Sequence, residues 1–125
     1  MITTSRPKNL NLFTIRFPMP AIVSILHRIT GIALFLLVPL AIWALSLSLS
    51  SEASFNSLQH FLAQRESKLF VWLCLSPLIY HLVAGVRHLL MDIHLGDSLG
   101  SGRLGAYLTQ LISLVLIASL GVWLW

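Results

Sequence analysis

Three long stretches without a charged residue dominate this sequence, at residues 29–49, 69–86 and 104–125. Each is about 20 residues long, the length that an α-helix needs to cross the hydrocarbon core of a bilayer. Lipid offers the backbone no hydrogen-bond partners, so such a segment must be helical rather than an isolated strand. The pattern therefore predicts an all-α integral membrane protein with three transmembrane helices, over residues 21–49, 69–93 and 104–125.

Composition excludes the other main classes of protein. The chain is 57% hydrophobic and 10% charged, whereas an average soluble domain carries about 25% charged residues. The net charge of +4 comes from Lys and Arg scattered between apolar runs, and the absence of a basic cluster excludes a nucleic-acid partner. Cys74 is the only cysteine, which rules out an intrachain disulfide. We expect a single transmembrane domain over residues 1–125, surrounded by membrane lipid.

The basic residues also predict the orientation in the membrane. Six of the eight Lys and Arg residues flank the N-terminal side of the first predicted helix or lie around the second loop, and only Arg65 and Lys68 lie in the first loop. Because cytoplasmic segments are enriched in Lys and Arg, we expect the N-terminal tail, residues 1–20, to be cytoplasmic. The run that follows it is too long for a signal-peptide core, so we expect the tail to be retained.

Polar residues and glycines share one face on each of the first two predicted helices. On the first helix they fall at i, i+3, i+4 and i+7: Ser24, His27, Arg28 and Gly31. On the second they fall at i, i+4 and i+7: His81, Gly85 and His88. At a rise of about 1.5 Å per residue the two stripes lie at similar depth. Polar groups inside a bilayer are costly, so these stripes mark a candidate functional site.

The chemistry of these stripes suits a buried haem. A neutral imidazole such as His81, with Gly85 one turn away to make room for a flat macrocycle, is suited to axial ligation of haem iron. His27 and Arg28 on the facing helix are suited to the haem propionates. A proton relay or a structural polar cluster could use the same residues. His60 in the first loop and His94 after the second helix are weaker candidates.

Four segments carry a resemblance to a known family: residues 6–10, 15–18, 24–31 and 81–92. The third reads S-x-x-H-R-x-[ST]-G and the fourth H-x-x-x-G-x-R-H-x-x-x-D. Together they resemble the cytochrome b subunit of bacterial and mitochondrial succinate dehydrogenase, over essentially the whole chain. The resemblance implies one of two small three-helix anchors that form a heterodimer and hold a flavoprotein and an iron–sulfur subunit on the membrane.

The same resemblance implies roles for individual residues. His81 matches the axial haem b ligand, the second ligand being a histidine of the partner anchor. Ser24 and Arg28 match residues that line the ubiquinone site, and His27 with Arg28 match groups near the haem propionates. The motif positions of lower rank are His88 and Asp92. The implied reaction is succinate oxidation with electrons passed to ubiquinone, in which this chain does no succinate chemistry itself.

Two alternatives stay open. The first is an anchor of fumarate reductase, which runs the reaction in reverse with a low-potential quinol. The second is a non-redox membrane protein, an assembly or channel subunit, in which the polar residues only pack helices together. For the location we expect the bacterial inner membrane, because the short basic N-terminus differs from a transit peptide, with the mitochondrial inner membrane as the alternative.

Overall fold

The computed structural model describes residues 16–125 and consists of four helices in that range. They are α1 (Met19–Ser50), α2 (Glu52–Ala63), α3 (Arg65–Asp92) and α4 (Leu99–Leu124). By length and composition α1, α3 and α4 could each cross a membrane. The predicted all-α fold with three transmembrane helices is therefore confirmed, while most of the predicted tail lies outside the described residues.

The predicted starts of the second and third spanning helices were wrong. Helix α3 begins at Arg65 and α4 at Leu99, rather than at residues 69 and 104. The charged residues Lys68 and Arg103 lie directly before the two uncharged runs, but both helices begin before these residues. A membrane helix can continue past the hydrocarbon core, since long basic side chains reach the polar interface.

The first predicted loop contains a helix that the sequence analysis missed. Ser51 leaves helical geometry between α1 and α2 and caps α2, because its hydroxyl accepts a hydrogen bond from the Ser54 backbone N–H at 3.1 Å. Helix α2 is amphipathic, with Phe55, Leu58 and Leu62 repeating at helical spacing. His60 lies on this helix and is exposed, so it belongs to a helix rather than to a loop.

Helix α3 packs against both α1 and α4, which also contact each other. Its buried residues Tyr80 and Ala84 form a small core with Val23 of α1 and Ala106 of α4. Most large apolar side chains are exposed in this chain. In a membrane protein such surfaces face lipid or another subunit.

Helix α4 is attached to α3 near both of its ends. The Trp72 indole donates to the carbonyl oxygen of Ile117 at 2.9 Å, and the Arg87 guanidinium donates to that of Gly102 at 3.1 Å. Arg87 had been counted among the basic residues around the second loop. It is instead buried inside α3 against α4, with an exposed fraction of 8%.

Candidate functional site

Three histidines meet where α1 packs against α3. The His27 ring stacks on the His81 ring, with the ring centres 4.0 Å apart and the planes inclined by 15°. The centre of the His88 ring lies 5.0 Å from that of His27, at an angle of 47°. All three side chains are half-buried. We call His27, His81 and His88 the histidine cluster, and its geometry brings the two predicted stripes together.

Two glycines make this close stacking possible. A Cβ atom on Gly31 would lie 3.1 Å from His81 Cε1, and one on Gly85 would lie 3.4 Å from His27 Nε2. Because glycine has no side chain, each of the two leaves room for the imidazole of the opposite helix. In this chain His27 lies beside Gly85, and the expectation that Gly85 makes room for a macrocycle stays a prediction.

Hydrogen bonds determine which nitrogen of His81 carries the hydrogen. His81 Nδ1 lies 3.1 Å from the carbonyl oxygen of His27 and 3.2 Å from Thr30 Oγ1. A carbonyl oxygen can only accept, so Nδ1 is the donor. The Thr30 hydroxyl donates to the carbonyl oxygens of Leu26 or His27, each at 2.9 Å, and can therefore also accept from Nδ1. The neutral ring then carries its lone pair on Nε2.

This arrangement matches the usual environment of a metal-binding histidine. Such a histidine commonly donates its other ring N–H to a backbone carbonyl, which sets the tautomer and the ring orientation. His81 Nε2 has no hydrogen-bond partner within residues 16–125, so its lone pair is available for a ligand. His27 Nε2 differs from it, because that atom is buried and has no partner in the described part of the chain.

Ser24 lies on α1 one turn before His27 and Arg28 directly follows His27, but no hydrogen bond within residues 16–125 joins either side chain to the histidine cluster. The Ser24 hydroxyl donates to the carbonyl oxygen of Pro20 at 3.1 Å. The Arg28 side chain is exposed, and no carboxylate among residues 16–125 pairs with it. Ser24, His27 and Arg28 share a stripe on the helix as predicted, and His27 is the member that stacks on a side chain of α3.

Asp92 is the last residue of α3 and is exposed. The structure places it at the end of the helix, away from the stacked imidazoles of α1 and α3. Nearby in the following turn, His94 Nδ1 lies 3.3 Å from the Asp97 carboxylate, and both side chains are exposed. His94 therefore belongs to a surface turn, and neither Asp92 nor His94 joins the histidine cluster.

Two residues with clear roles were missed by the sequence analysis. The Thr30 hydroxyl accepts a hydrogen bond from His81, and its position three residues after His27 could have indicated this contact. Arg87 fastens α4 to α3, and its place between Gly85 and His88 in the motif gave no indication of which neighbour it contacts. Both belong to the recognised motifs, but a motif does not say which side chain faces which helix.

No group of three or more His, Cys, Asp or Glu side chains within residues 16–125 is arranged to hold a metal ion. His27 and His81 stack face to face, and stacked rings cannot direct lone pairs from opposite sides at one metal. A metal bound through His81 would therefore need its remaining ligands from another molecule.

Comparisons with known proteins find relatives along most of the chain. A family model described as succinate dehydrogenase/fumarate reductase transmembrane subunit matches residues 3–120. The succinate dehydrogenase cytochrome b556 subunit of Coxiella burnetii is 42% identical over 125 residues, which cover 99% of this chain and 100% of the relative. Proteins of the same name are 32% identical in Rickettsia prowazekii, covering 97% and 94%, and 34% identical in Paracoccus denitrificans, covering 74% and 71%.

Proposed function

Because this chain belongs to the succinate dehydrogenase/fumarate reductase transmembrane subunit family, we propose that it is the haem b- and ubiquinone-binding anchor of a bacterial succinate dehydrogenase. The observation that carries this proposal is the environment of His81. Its Nδ1 is held by the His27 carbonyl and the Thr30 hydroxyl, which leaves Nε2 as a ligand of defined tautomer.

The residues present fit a haem that is shared between two subunits. His81 would supply one ligand to the haem iron, and a second would come from a histidine of the partner anchor, since no second imidazole within residues 16–125 has a suitable position. His27 and Arg28 would bind the propionates, which need a donor or a cation in a medium of low dielectric. His27 Nε2 is a buried nitrogen that still lacks a partner in residues 16–125. The haem, when bound, supplies one-electron redox chemistry.

Ser24 and Arg28 would form this chain's part of the ubiquinone site. Succinate oxidation to fumarate releases two electrons and two protons, and ubiquinone takes up the same number to become ubiquinol. Arg28 would donate to a quinone carbonyl oxygen and stabilise the negative charge that develops there on reduction. The Ser24 hydroxyl donates to Pro20 in this structure, so it must rotate before it can donate to a quinone. Its oxygen can accept a hydrogen bond without rotating.

The proposal includes the rest of the complex and the membrane. The chain would pair with a second small anchor, and the two would hold the iron–sulfur and flavoprotein subunits, which carry out the succinate chemistry. The three spanning helices and the bacterial relatives support a multi-pass protein of the bacterial inner membrane. The excess of Lys and Arg on one side supports a cytoplasmic N-terminus.

An anchor of fumarate reductase is the second candidate, because the description of the matching family covers both enzymes. The quinone that the complex uses separates the two, since fumarate reduction needs a low-potential quinol. The relatives reported above are named as cytochrome subunits, which argues against the non-redox alternative.

The test is the haem content of the assembled complex. We expect His81→Ala to abolish or strongly reduce the b-type signal in a dithionite-reduced minus oxidised spectrum, because the remaining histidines cannot replace a ligand held in this orientation. The matched control is His60→Ala, which removes an exposed imidazole from α2 and should leave the spectrum unchanged.

Stoichiometry of the purified subunits distinguishes loss of haem from loss of assembly. A complete complex with an unchanged haem spectrum in His81→Ala would remove His81 from the site and with it the central part of this proposal.

A further inference from the structure

An apolar groove runs between α1 and α3 and is closed at one end by α2. It has a volume of about 530 Å³, and its lining contains only apolar side chains and Cys74. Leu37 and Ala41 belong to the α1 wall, Val71 and Leu75 to the α3 wall, and Phe61 to the end formed by α2. The groove lies on the α2 side of the histidine cluster and includes none of its residues.

The length and lining of the groove suit a hydrocarbon chain. Its α1 wall extends from Leu34 to Ala44, a rise of about 15 Å. The walls are almost entirely apolar, so an occupant packs against them through dispersion contacts, as an extended acyl chain does.

A basic side chain lies at the α2 end of this groove. Lys68 precedes the lining residues Val71, Leu75 and Leu78 by three, seven and ten positions, which places it on the same stripe of α3. No carboxylate of this chain pairs with it, since all four acidic residues lie in the described range and the ion pair found there joins His94 and Asp97. Glu66, two residues earlier, is about 200° away around the helix.

Helix α2 places this end of the groove at the level of the lipid head groups. Leu58, Phe61 and Leu62 of α2 line the groove, while the polar residues Gln59 and His60 lie on the opposite side of α2 by helical position. An amphipathic helix of this kind lies in the plane of the membrane interface. Lys68 lies about 4.5 Å nearer the start of α3 than Val71, so we expect its ammonium group at the depth of the lipid phosphates.

We propose that this groove binds a phospholipid from the leaflet on the α2 side, with an acyl chain between α1 and α3 and the phosphate at the Lys68 ammonium. The residues that line the groove differ from those proposed for the haem and quinone sites. The acyl chain fills the groove between α1 and α3. Without it, the side chains of both walls would lose dispersion contacts.

Photo-crosslinking of the assembled complex tests the proposal. The complex is reconstituted in phosphatidylcholine vesicles that contain a phosphatidylglycerol analogue with a diazirine on one acyl chain. After illumination, peptide mass spectrometry locates the adducts on this chain. We expect them to concentrate on groove residues such as Trp43 and Phe70, and to exceed those on Val115 and Val122, which are exposed on α4.

Two variants with matched controls examine the two ends of the lipid. Lys68→Gln should lower groove labelling about fivefold, since a basic residue near an anionic group is worth about 1 kcal/mol, whereas Arg103→Gln should not. Ala41→Phe fills the groove and should abolish labelling there, whereas Ala118→Phe, at an exposed position of α4, should not.

Three results would overturn the proposal. Adducts spread evenly over all exposed apolar residues would indicate ordinary surrounding lipid. A groove that stays unlabelled in the complete complex would be covered by another subunit. Labelling that excess ubiquinone displaces would assign the groove to the quinone tail. The distribution of adducts in the unaltered complex decides among these even if a variant fails to assemble.

Discussion

Arg87 is a buried cation, and no carboxylate among residues 16–125 pairs with it. Its exposed fraction is 8%, and its guanidinium donates to the Gly102 carbonyl at 3.1 Å. Gly105 lets the side chain approach α4, since a Cβ atom there would lie 3.5 Å from Arg87 Nε. An arginine cannot lose its charge in a protein, so this hydrogen bond and the packing of the side chain against α4 are what compensate for burial.

We expect Arg87→Ala to loosen α4 and to lower the free energy of unfolding by about 1.5–3 kcal/mol, the usual value of a hydrogen bond to a charged group. The measurement is the thermal unfolding of the purified complex in detergent. Arg103→Ala is the control, because Arg103 is exposed, and it should change stability by less than about 0.5 kcal/mol. Equal stability of the two variants would mean that Arg87 does not hold α4.

At the scale of the elements, close approach of α3 and α4 depends on a glycine beside an indole. The Trp72 N–H donates to the Ile117 carbonyl, and a Cβ atom on Gly121 would lie 3.2 Å from Trp72 Nε1. Small residues at helix contacts in membranes allow such approaches, and side-chain hydrogen bonds then join the helices. This contact attaches the end of α4 that is opposite to Arg87.

Gly121→Ala should therefore destabilise the contact between α3 and α4 by about 1–3 kcal/mol, as overpacking commonly does. Gly100→Ala serves as the control on the same helix, since no atom lies within 4 Å of the added Cβ. An alanine at that position should leave stability unchanged or raise it by up to about 1 kcal/mol. Thermal unfolding of both variants gives the comparison, and a loss in Gly100→Ala alone would contradict this account.

At the scale of the whole molecule, the site is open towards other subunits. Arg28 is exposed in this chain, and His81 offers a free lone pair but no neighbouring second ligand. The exposed apolar surfaces of the spanning helices provide the area through which partner subunits and lipid surround these groups. The proposed function is therefore a property of the assembled complex rather than of this chain alone.

Arg28→Leu should impair quinone reduction far more than succinate oxidation with an artificial electron acceptor. Under the proposed function, the substitution removes the cation that would stabilise the reduced quinone, and it leaves the succinate chemistry on other subunits untouched. We expect a loss of at least tenfold, about 1.4 kcal/mol, in the quinone-dependent rate. Arg28→Lys should retain part of it, because it retains the charge. Parallel loss of both activities would indicate failed assembly instead.

The motifs predicted the residues that meet at the candidate site but not how they meet. Periodicity placed His27 and His81 on facing stripes, and the structure brings their rings together. It did not predict that Gly31 and Gly85 each accommodate the imidazole of the opposite helix, nor that Thr30 accepts from His81. Such contacts depend on the rotation and separation of two helices, which no pattern within one helix contains.

Sequence alone determined the number of spanning helices, because bilayer thickness and the need to satisfy backbone hydrogen bonds act on each segment separately. It also determined the family, through motifs that survive as residue types at fixed spacing. Tertiary structure decided the remainder: the helix α2, the direction of Arg87 into α4, and the stacked histidines. These features arise from contacts between segments far apart in the chain, where the packing of small residues sets which side chains can touch.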